Sequence, residues 1–382
     1  MKSLKPNLVK HPTKQIPLSL PYITQDEISA VSRVLKSGQL SLGGKTKEFE
    51  QLVADFVGTK YAVAVSSGTS GLHLCVKAHN FQSGDEIITS PFSFVASTNV
   101  LLYENLSPVF IDIDPYTFNL DPNKLEDAIT PKTKAILPVH IFGRSINYQA
   151  INRIAKKHHL PIIEDACEAL GARYKQRQVG NFNNLAVFAF YPNKQITTGE
   201  GGIIVTNSLR QARLLKSLSN QGRGLTDSWL IHQRLGFNYR LNELNSALGV
   251  EQLKKIDQLL VLRKQVALWY NQALKGIPSL QLPLPDDSQY VRSWFVYVVQ
   301  VPNFTVRNYL IRQLLSVGIH TKPYLPSIHL QPYIKAKFGY RPGDFPISES
   351  VSSRSLALPF FSSMTQLQVE KVSYFLNKFL KP

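Results

Sequence analysis

Short apolar runs alternate with amphipathic stretches along the first two thirds of the chain, and the pattern predicts strands and helices in turn. The runs at 61–65, 86–89, 109–112, 135–139, 161–164, 185–190 and 202–205 read as buried strands. Helical patterns such as 148–158 fall between several of them, which predicts a layered α/β domain with a mainly parallel sheet. Further helical stretches at 242–260 and 263–274 lead the chain away from that domain. Beyond Pro283, a strand-like run at 294–301 and helical patterns at 305–317 and 365–380 predict a smaller α+β domain. A Pro- and aromatic-rich stretch at 320–345 inside it reads as loop, and long loops are often functional. The expected division is an N-terminal segment 1–21, a large domain 22–253 and a small C-terminal domain 254–382.

Composition narrows the class. A chain of 382 residues is long enough for more than one core. No segment approaches the roughly 20 consecutive apolar residues needed to span a bilayer, so no membrane partner is expected. The first 15 residues are basic but lack the apolar core of a secretion signal. With only Cys75 and Cys167, a disulfide framework is not expected and a reducing cytoplasm fits. Cys167 reads as core filling. The formal charge of +17 raises a nucleic-acid partner as an alternative. The basic residues are scattered, however, and neither a zinc-finger spacing nor an RNP-type aromatic motif occurs. The charge suits an anionic substrate such as a nucleotide diphosphate equally well.

Candidate chemistry concentrates at Lys194, which follows the apolar run Phe188-Ala189-Phe190 and enters the Gly-rich turn Thr197-Thr198-Gly199-Glu200-Gly201-Gly202. An amine acts as a Schiff-base nucleophile only when it meets a carbonyl unprotonated, and a partly desolvated, fixed lysine favours that. Asp165 closes the predicted strand Pro161-Ile162-Ile163-Glu164-Asp165. A lysine to carry the cofactor and an acid to keep its ring nitrogen protonated are what pyridoxal 5′-phosphate (PLP) requires. The stretch Val65-Ser66-Ser67-Gly68-Thr69-Ser70-Gly71 adds a phosphate cradle, a small-residue turn that opens a helix.

Four segments, Ser66 to Gly71, Glu164 to Gly171, Tyr191 to Gly202 and Gly236 to Glu243, resemble the DegT/StrS family of PLP-dependent nucleotide-sugar aminotransferases. The resemblance runs from about Pro17 to near the C-terminus. It implies an aspartate-aminotransferase-type fold (fold type I) working as a homodimer with an active site shared across the interface. It also implies Lys194 as the cofactor lysine, Asp165 at the pyridinium nitrogen, and Thr69 and Ser70 at the phosphate. Phe94 matches the aromatic that stacks on the cofactor ring, with Phe92 as core. Asn238 matches an asparagine that reaches the phosphate from the partner subunit; a solvated loop asparagine is the alternative. Arg240 reads as a phosphate or acidic-group ligand or, equally, as a structural ion pair. Tyr324 and His329 resemble the sugar-pocket segment, with a structural histidine the alternative.

Two positions depart from the family pattern. Relatives commonly carry serine five residues before the lysine, where this chain has Ala189, so one phosphate hydrogen bond is missing. Glu168 stands where many relatives have glutamine or histidine near the cofactor's ring oxygen, and a carboxylate there repels the phenolate unless a proton is shared. The implied reaction moves an amino group from an amino acid, L-glutamate by resemblance, to a nucleotide-diphosphate-linked keto sugar. The sequence after Lys194 resembles the subgroup that aminates carbon 4 of 4-keto-6-deoxy hexoses. The competing readings are an aminotransferase with a non-sugar acceptor and a regulatory or nucleic-acid-binding protein on the same scaffold.

Overall fold

The computed structural model of the chain describes residues 15–224 and 231–380. Except for Gln15, the basic N-terminal stretch lies outside the described residues. Helices α1 (Gln25–Ser37) and α2 (Gly44–Val57) precede β1 (Tyr61–Val65), α3 (Gly68–Ala78), β2 (Glu86–Thr89), α4 (Ala96–Tyr103), β3 (Ser107–Phe110) and β4 (Thr133–Leu137). Then come α5 (Tyr148–Lys157), β5 (Ile163–Asp165), β6 (Leu185–Ala189), β7 (Gly202–Thr206), α6 (Leu209–Ser219) and α7 (Glu243–Lys254).

The strands lie in the order β1-β7-β6-β5-β4-β2-β3, with parallel bridges Ile136 to Ile162 and Val139 to Asp165 joining β4 to β5. Of these seven, β7 runs against its two neighbours and the other pairs are parallel. Successive residues of a strand face opposite sides, so runs that are apolar throughout need cover on both. Ala62, Ala64, Ile88, Ile136, Phe188, Ile203 and Val205 join one core with residues of α2, α5 and α7. Their neighbours Val63, Val65, Ile87, Ala135, Leu137, Val187 and Ile204 join a second core with α3, α4 and α6. This two-sided burial is typical of parallel sheets.

A third core gathers α8 (Ile256–Leu274), β8 (Tyr297–Gln300), α9 (Phe304–Ser316) and the C-terminal helix Gln366–Leu380 with Ile16 and Ile319. Ile16 is bound to this unit by its own N–H to the Gly318 carbonyl, 2.8 Å, and by the His320 N–H to its carbonyl, 3.0 Å. A small antiparallel sheet places Ser355–Leu358 between β8 and Lys322–Pro323.

Several sequence-based boundaries move. The strands expected at 109–112 and 135–139 start two residues earlier, where the register with β2 begins. The helix expected to run through 260 ends at Lys254, and α8 begins at Ile256. Lys255 between them leaves helical geometry and turns its ammonium onto Asp26, Glu27 and the Thr24 hydroxyl at the start of α1. The expected loop at 320–345 contains the helix Pro332–Phe338, which Pro332 opens and left-handed Gly339 closes. Its Ile334 packs with Ile328 and Phe110 beneath Phe338, Tyr340 and Phe345.

Helix α2 begins at glycines and so lacks a side-chain cap of its own. Glu243, about two hundred residues away, supplies it, accepting from the N–H groups of Lys45 at 2.7 Å and Thr46 at 3.1 Å and from the Thr46 hydroxyl at 2.6 Å. A Cβ on Gly43 would lie 2.6 Å from the Glu243 carboxylate, so glycine leaves the room it needs. Burial pushes the Glu243 carboxyl up, but the Thr46 hydroxyl and the neighbouring amides outweigh it and hold it below the ordinary 4.5. A carboxyl depressed in the folded state contributes stability that is present above its unfolded value and lost as pH falls through its folded one. Glu243→Ala is expected to cost about 1–3 kcal/mol of unfolding free energy near neutral pH. Read from urea midpoints, the gap between wild type and variant should close as pH falls below 4.5.

Candidate active site

The carboxyl ends of β1, β5 and β6 share one edge of the sheet with the start of β7, where open α/β sheets bind their ligands. Three segments leave the sheet there: the turn into α3, the Asp165 strand end and the Lys194 turn between β6 and β7. A cavity of about 480 Å³ lies between them, lined by Thr69, Phe94, Asp165, Glu168, Lys194 and Tyr324 among others. That volume falls within the range of small-molecule sites.

The Lys194 turn is fixed by its backbone. The Lys194 N–H donates to the Tyr191 carbonyl at 2.9 Å, and Phe190 accepts from the Thr198 N–H and the Thr197 hydroxyl, each at 3.0 Å. Gln195, buried, donates to the Glu168 carbonyl at 2.6 Å and to the Ser293 hydroxyl at 2.9 Å. Arg263 reaches in from α8 and donates to the carbonyls of Lys194 at 2.7 Å and Phe295 at 3.1 Å. With its backbone held, the Lys194 side chain crosses the face of Phe295, with Nζ 3.9 Å from the ring centroid.

Asp165 is buried, and its Oδ1 accepts from the Cys167 N–H at 3.1 Å. Burial pushes its carboxyl up, against the pull of Cys167 and the Lys194 cation. Cys167 is half-buried, packing against the second core on one side and lining the cavity on the other. Burial first, and then the Asp165 charge, push its thiol well up. Burial also raises the Tyr324 phenol, with Glu168 adding to the effect.

Two glycines set the approach of α3. A Cβ on Gly68 would lie 2.7 Å from the Ala189 Cβ and 2.8 Å from the Cys167 sulfur. One on Gly202 would lie 2.5 Å from the Ser67 carbonyl. The small residue at 189 is thus one side of a tight contact with the α3 turn. Thr69 faces the cavity, whereas Ser70 turns its hydroxyl back to Ser66 and Ser67, both at 2.9 Å. Phe94 stands exposed at the cavity edge, and Phe92 is core.

The remaining sequence candidates lie elsewhere in this chain. Asn238 is exposed and outside the cavity lining. Arg240 donates to the side-chain oxygens of Asn220 at 2.8 Å and Gln221 at 3.4 Å. His329 does not reach the cavity. It is fully buried, 3.0 Å from the Glu349 carboxylate and packed on Phe345, which is the structural role. Arg263, Gln195 and Phe295 escaped the sequence reading. The buried stripe of α8 runs Ile256, Leu259, Arg263, Val266, Tyr270 and Leu274, so a charge on an apolar stripe was the available signal for Arg263.

An amine and two buried carboxyls in one cavity beside a helix start fit PLP: Lys194 could carry it, Asp165 could hold its ring nitrogen and the α3 turn its phosphate. Among solved structures, Helicobacter pylori PseC, an aminotransferase involved in the biosynthesis of pseudoaminic acid, superposes with a TM-score of 0.91. It is 31% identical, with 96% of this chain and 100% of that one covered. The fold is that of a PLP-dependent aminotransferase. Residues 21–377 match the DegT/DnrJ/EryC1/StrS aminotransferase family, and the chain belongs to it. The chain is also 38% identical to the Bacillus subtilis spore coat polysaccharide biosynthesis protein SpsC, covering 94% of this chain and 95% of that protein. To the GDP-perosamine synthase of Caulobacter vibrioides it is 36% identical, covering 89% and 91%. Family and relatives make it a PLP-dependent sugar aminotransferase.

Arg263 positions the lysine turn through a planar fork that a lysine cannot reproduce. Arg263→Lys is expected to leave PLP bound, seen as retained yellow colour, while kcat falls about 10- to 100-fold through misplacement of the Lys194 amine.

Proposed function

We propose that this enzyme moves an amino group from L-glutamate to carbon 4 of a nucleotide-diphosphate-linked 4-keto-6-deoxy hexose. The observation that carries the reading is the convergence of Lys194, Asp165 and Thr69 on one cavity at the carboxyl edge of the sheet. The sequence after Lys194 and the GDP-perosamine synthase relative support a sugar nucleotide as acceptor. The net charge of +17 suits its diphosphate.

When bound, PLP supplies a carbonyl carbon for imine formation and a ring that accepts electrons. Lys194 would carry it and would move a proton between the substrate carbon and its own Nζ. Asp165 holds a proton at the ring nitrogen. Thr69 and the first turn of α3 bind the phosphate without the serine hydroxyl that Ala189 replaces. Phe94 would stack on the ring, and Tyr324, which also lines the cavity, would meet the sugar. Asn238, outside its own cavity, serves the site of a second copy, so the active form is a homodimer. A cytoplasmic location fits the two free thiols, Cys75 and Cys167.

Purified protein with PLP is expected to show a yellow absorbance band that Lys194→Ala lacks, with turnover lower by at least about 100-fold. Incubation with L-glutamate and a panel of keto sugar nucleotides should then yield 2-oxoglutarate and an amino sugar, read by mass spectrometry. A colourless wild type sinks the assignment of Lys194, and 2-oxoglutarate without amino sugar points to a non-sugar acceptor. The shared site predicts complementation: Lys194→Ala and Asn238→Ala, each impaired alone, regain activity when unfolded and refolded together. No recovery on mixing counts against Asn238 acting in trans.

A further inference from the structure

Asp165 and the α3 turn account for the ring nitrogen and the phosphate, which leaves a second acid at the cavity without a part in the reaction. Glu168 is 6% exposed, and its Oε2 accepts from the Phe142 N–H at 2.8 Å. Phe142 is itself buried at a left-handed φ of 54°. Beside it, a Cβ on Gly143 would lie 3.1 Å from the Glu168 carbonyl, so this loop packs closely on the Glu168 backbone. The carboxyl is therefore pinned by one oxygen, while the other lies 3.9 Å from the Lys194 Nζ. Among the described residues, Glu168 is the carboxylate within ion-pair reach of that nitrogen.

The groups that bear on Glu168 are Lys194, Asp165, Cys167 and Tyr324, and of these Lys194 alone brings a cation. Burial pushes the carboxyl up and Asp165 adds to it, with Lys194 and the Phe142 N–H opposing. A lysine that acts as a nucleophile gives up its proton, and the buried carboxylate then loses its counter-charge. A buried carboxylate stripped of its partner is strongly unfavourable. One proton transfer relieves both conditions. The flexible lysine stem can close the gap of 3.9 Å to hydrogen-bond distance.

We propose that Glu168 is a second acid–base residue of the site, which takes the proton Lys194 sheds and returns it when the amine is freed. In the forward step an N–H bond of the Lys194 ammonium breaks, its electron pair stays on nitrogen, and an O–H bond forms on Glu168 Oε1. The reverse step restores the ion pair, so no co-reactant is needed. As a neutral acid Glu168 also offers a hydrogen-bond donor to a neighbouring anionic oxygen, which removes the repulsion that a carboxylate at this position would bring.

The inference rests on the reading of Lys194 as the cofactor lysine, and the test separates the two. Infrared difference spectra between the PLP-loaded full chain and the apoprotein are expected to gain a protonated-carboxyl C=O band. That band should shift in D2O, move on [13C]glutamate labelling of the protein and be absent from Glu168→Gln. The same variant should keep its yellow colour while kcat falls about 100-fold. Yellow wild type without the band, or a band that persists in Glu168→Gln, overturns the role of Glu168 and leaves Lys194 untouched. A wild type that never turns yellow overturns both. Should Glu168→Gln fail to fold or load, Glu168→Asp decides: the band must then follow [13C]aspartate instead of glutamate, and a band still following glutamate overturns the proposal.

Discussion

One amine and two buried carboxyls share a pocket, and most of the surrounding structure answers that constraint. The Lys194 side chain is 13% exposed and the Glu168 side chain 8%, and Asp165 is buried. Removing charges from water costs several kcal/mol each unless partners are fixed in place. Here the partners are main-chain groups, the Cys167 amide for Asp165 and the Phe142 amide for Glu168, with the lysine beside Glu168 and over an aromatic face. Amides anchored by sheet and turn cannot drift away, so the acids keep their orientation whether or not the amine is charged. The same logic extends to Arg263. Its buried guanidinium, pushed down to about 10 by desolvation, is spent on main-chain carbonyls and keeps the lysine turn in register.

The sheet topology makes this pocket possible. Because β7 returns antiparallel beside β6, the Lys194 turn stays at the edge where β6 ends. A parallel return would send the connection across a face of the sheet to the opposite edge. The amine would then leave the edge that holds Asp165 and the α3 turn. The antiparallel return brings Gly202 against the Ser67 carbonyl, closer than any side chain allows. Gly68 against Ala189 repeats the constraint one strand over.

The seven large-sheet strands were legible because burial on both faces leaves unbroken apolar runs, and the lysine, aspartate and phosphate turn because their spacing brackets those strands. What sequence hid was long-range. Glu243 reads as one residue of a motif, and only the fold shows it capping a helix some two hundred residues earlier. The break at Lys255 was invisible because the apolar periodicity runs on through it, and an ion-pair network with α1 sets it. Tyr324 and His329 share one segment, yet cavity and satellite core divide them. Five residues of chain are enough to carry the second into an aromatic cluster.

The Asn238 segment ties the exposed surface to the buried site. Its neighbour Tyr239 accepts from the Ser66 N–H at 2.8 Å, and the Tyr239 hydroxyl meets His73 of α3 at 3.2 Å. Arg240 bridges to Val65 at the end of β1. Asn238 is therefore presented outward by a segment pinned to the turn that faces the chain's own cavity. In the proposed dimer, the group that one copy lends is held by the phosphate turn of its own site. The same segment is tied to the end of α6, where Phe237 donates to the Leu218 carbonyl at 2.7 Å and Tyr239 to the Ser219 carbonyl at 3.0 Å, so two elements of one copy fix where Asn238 stands.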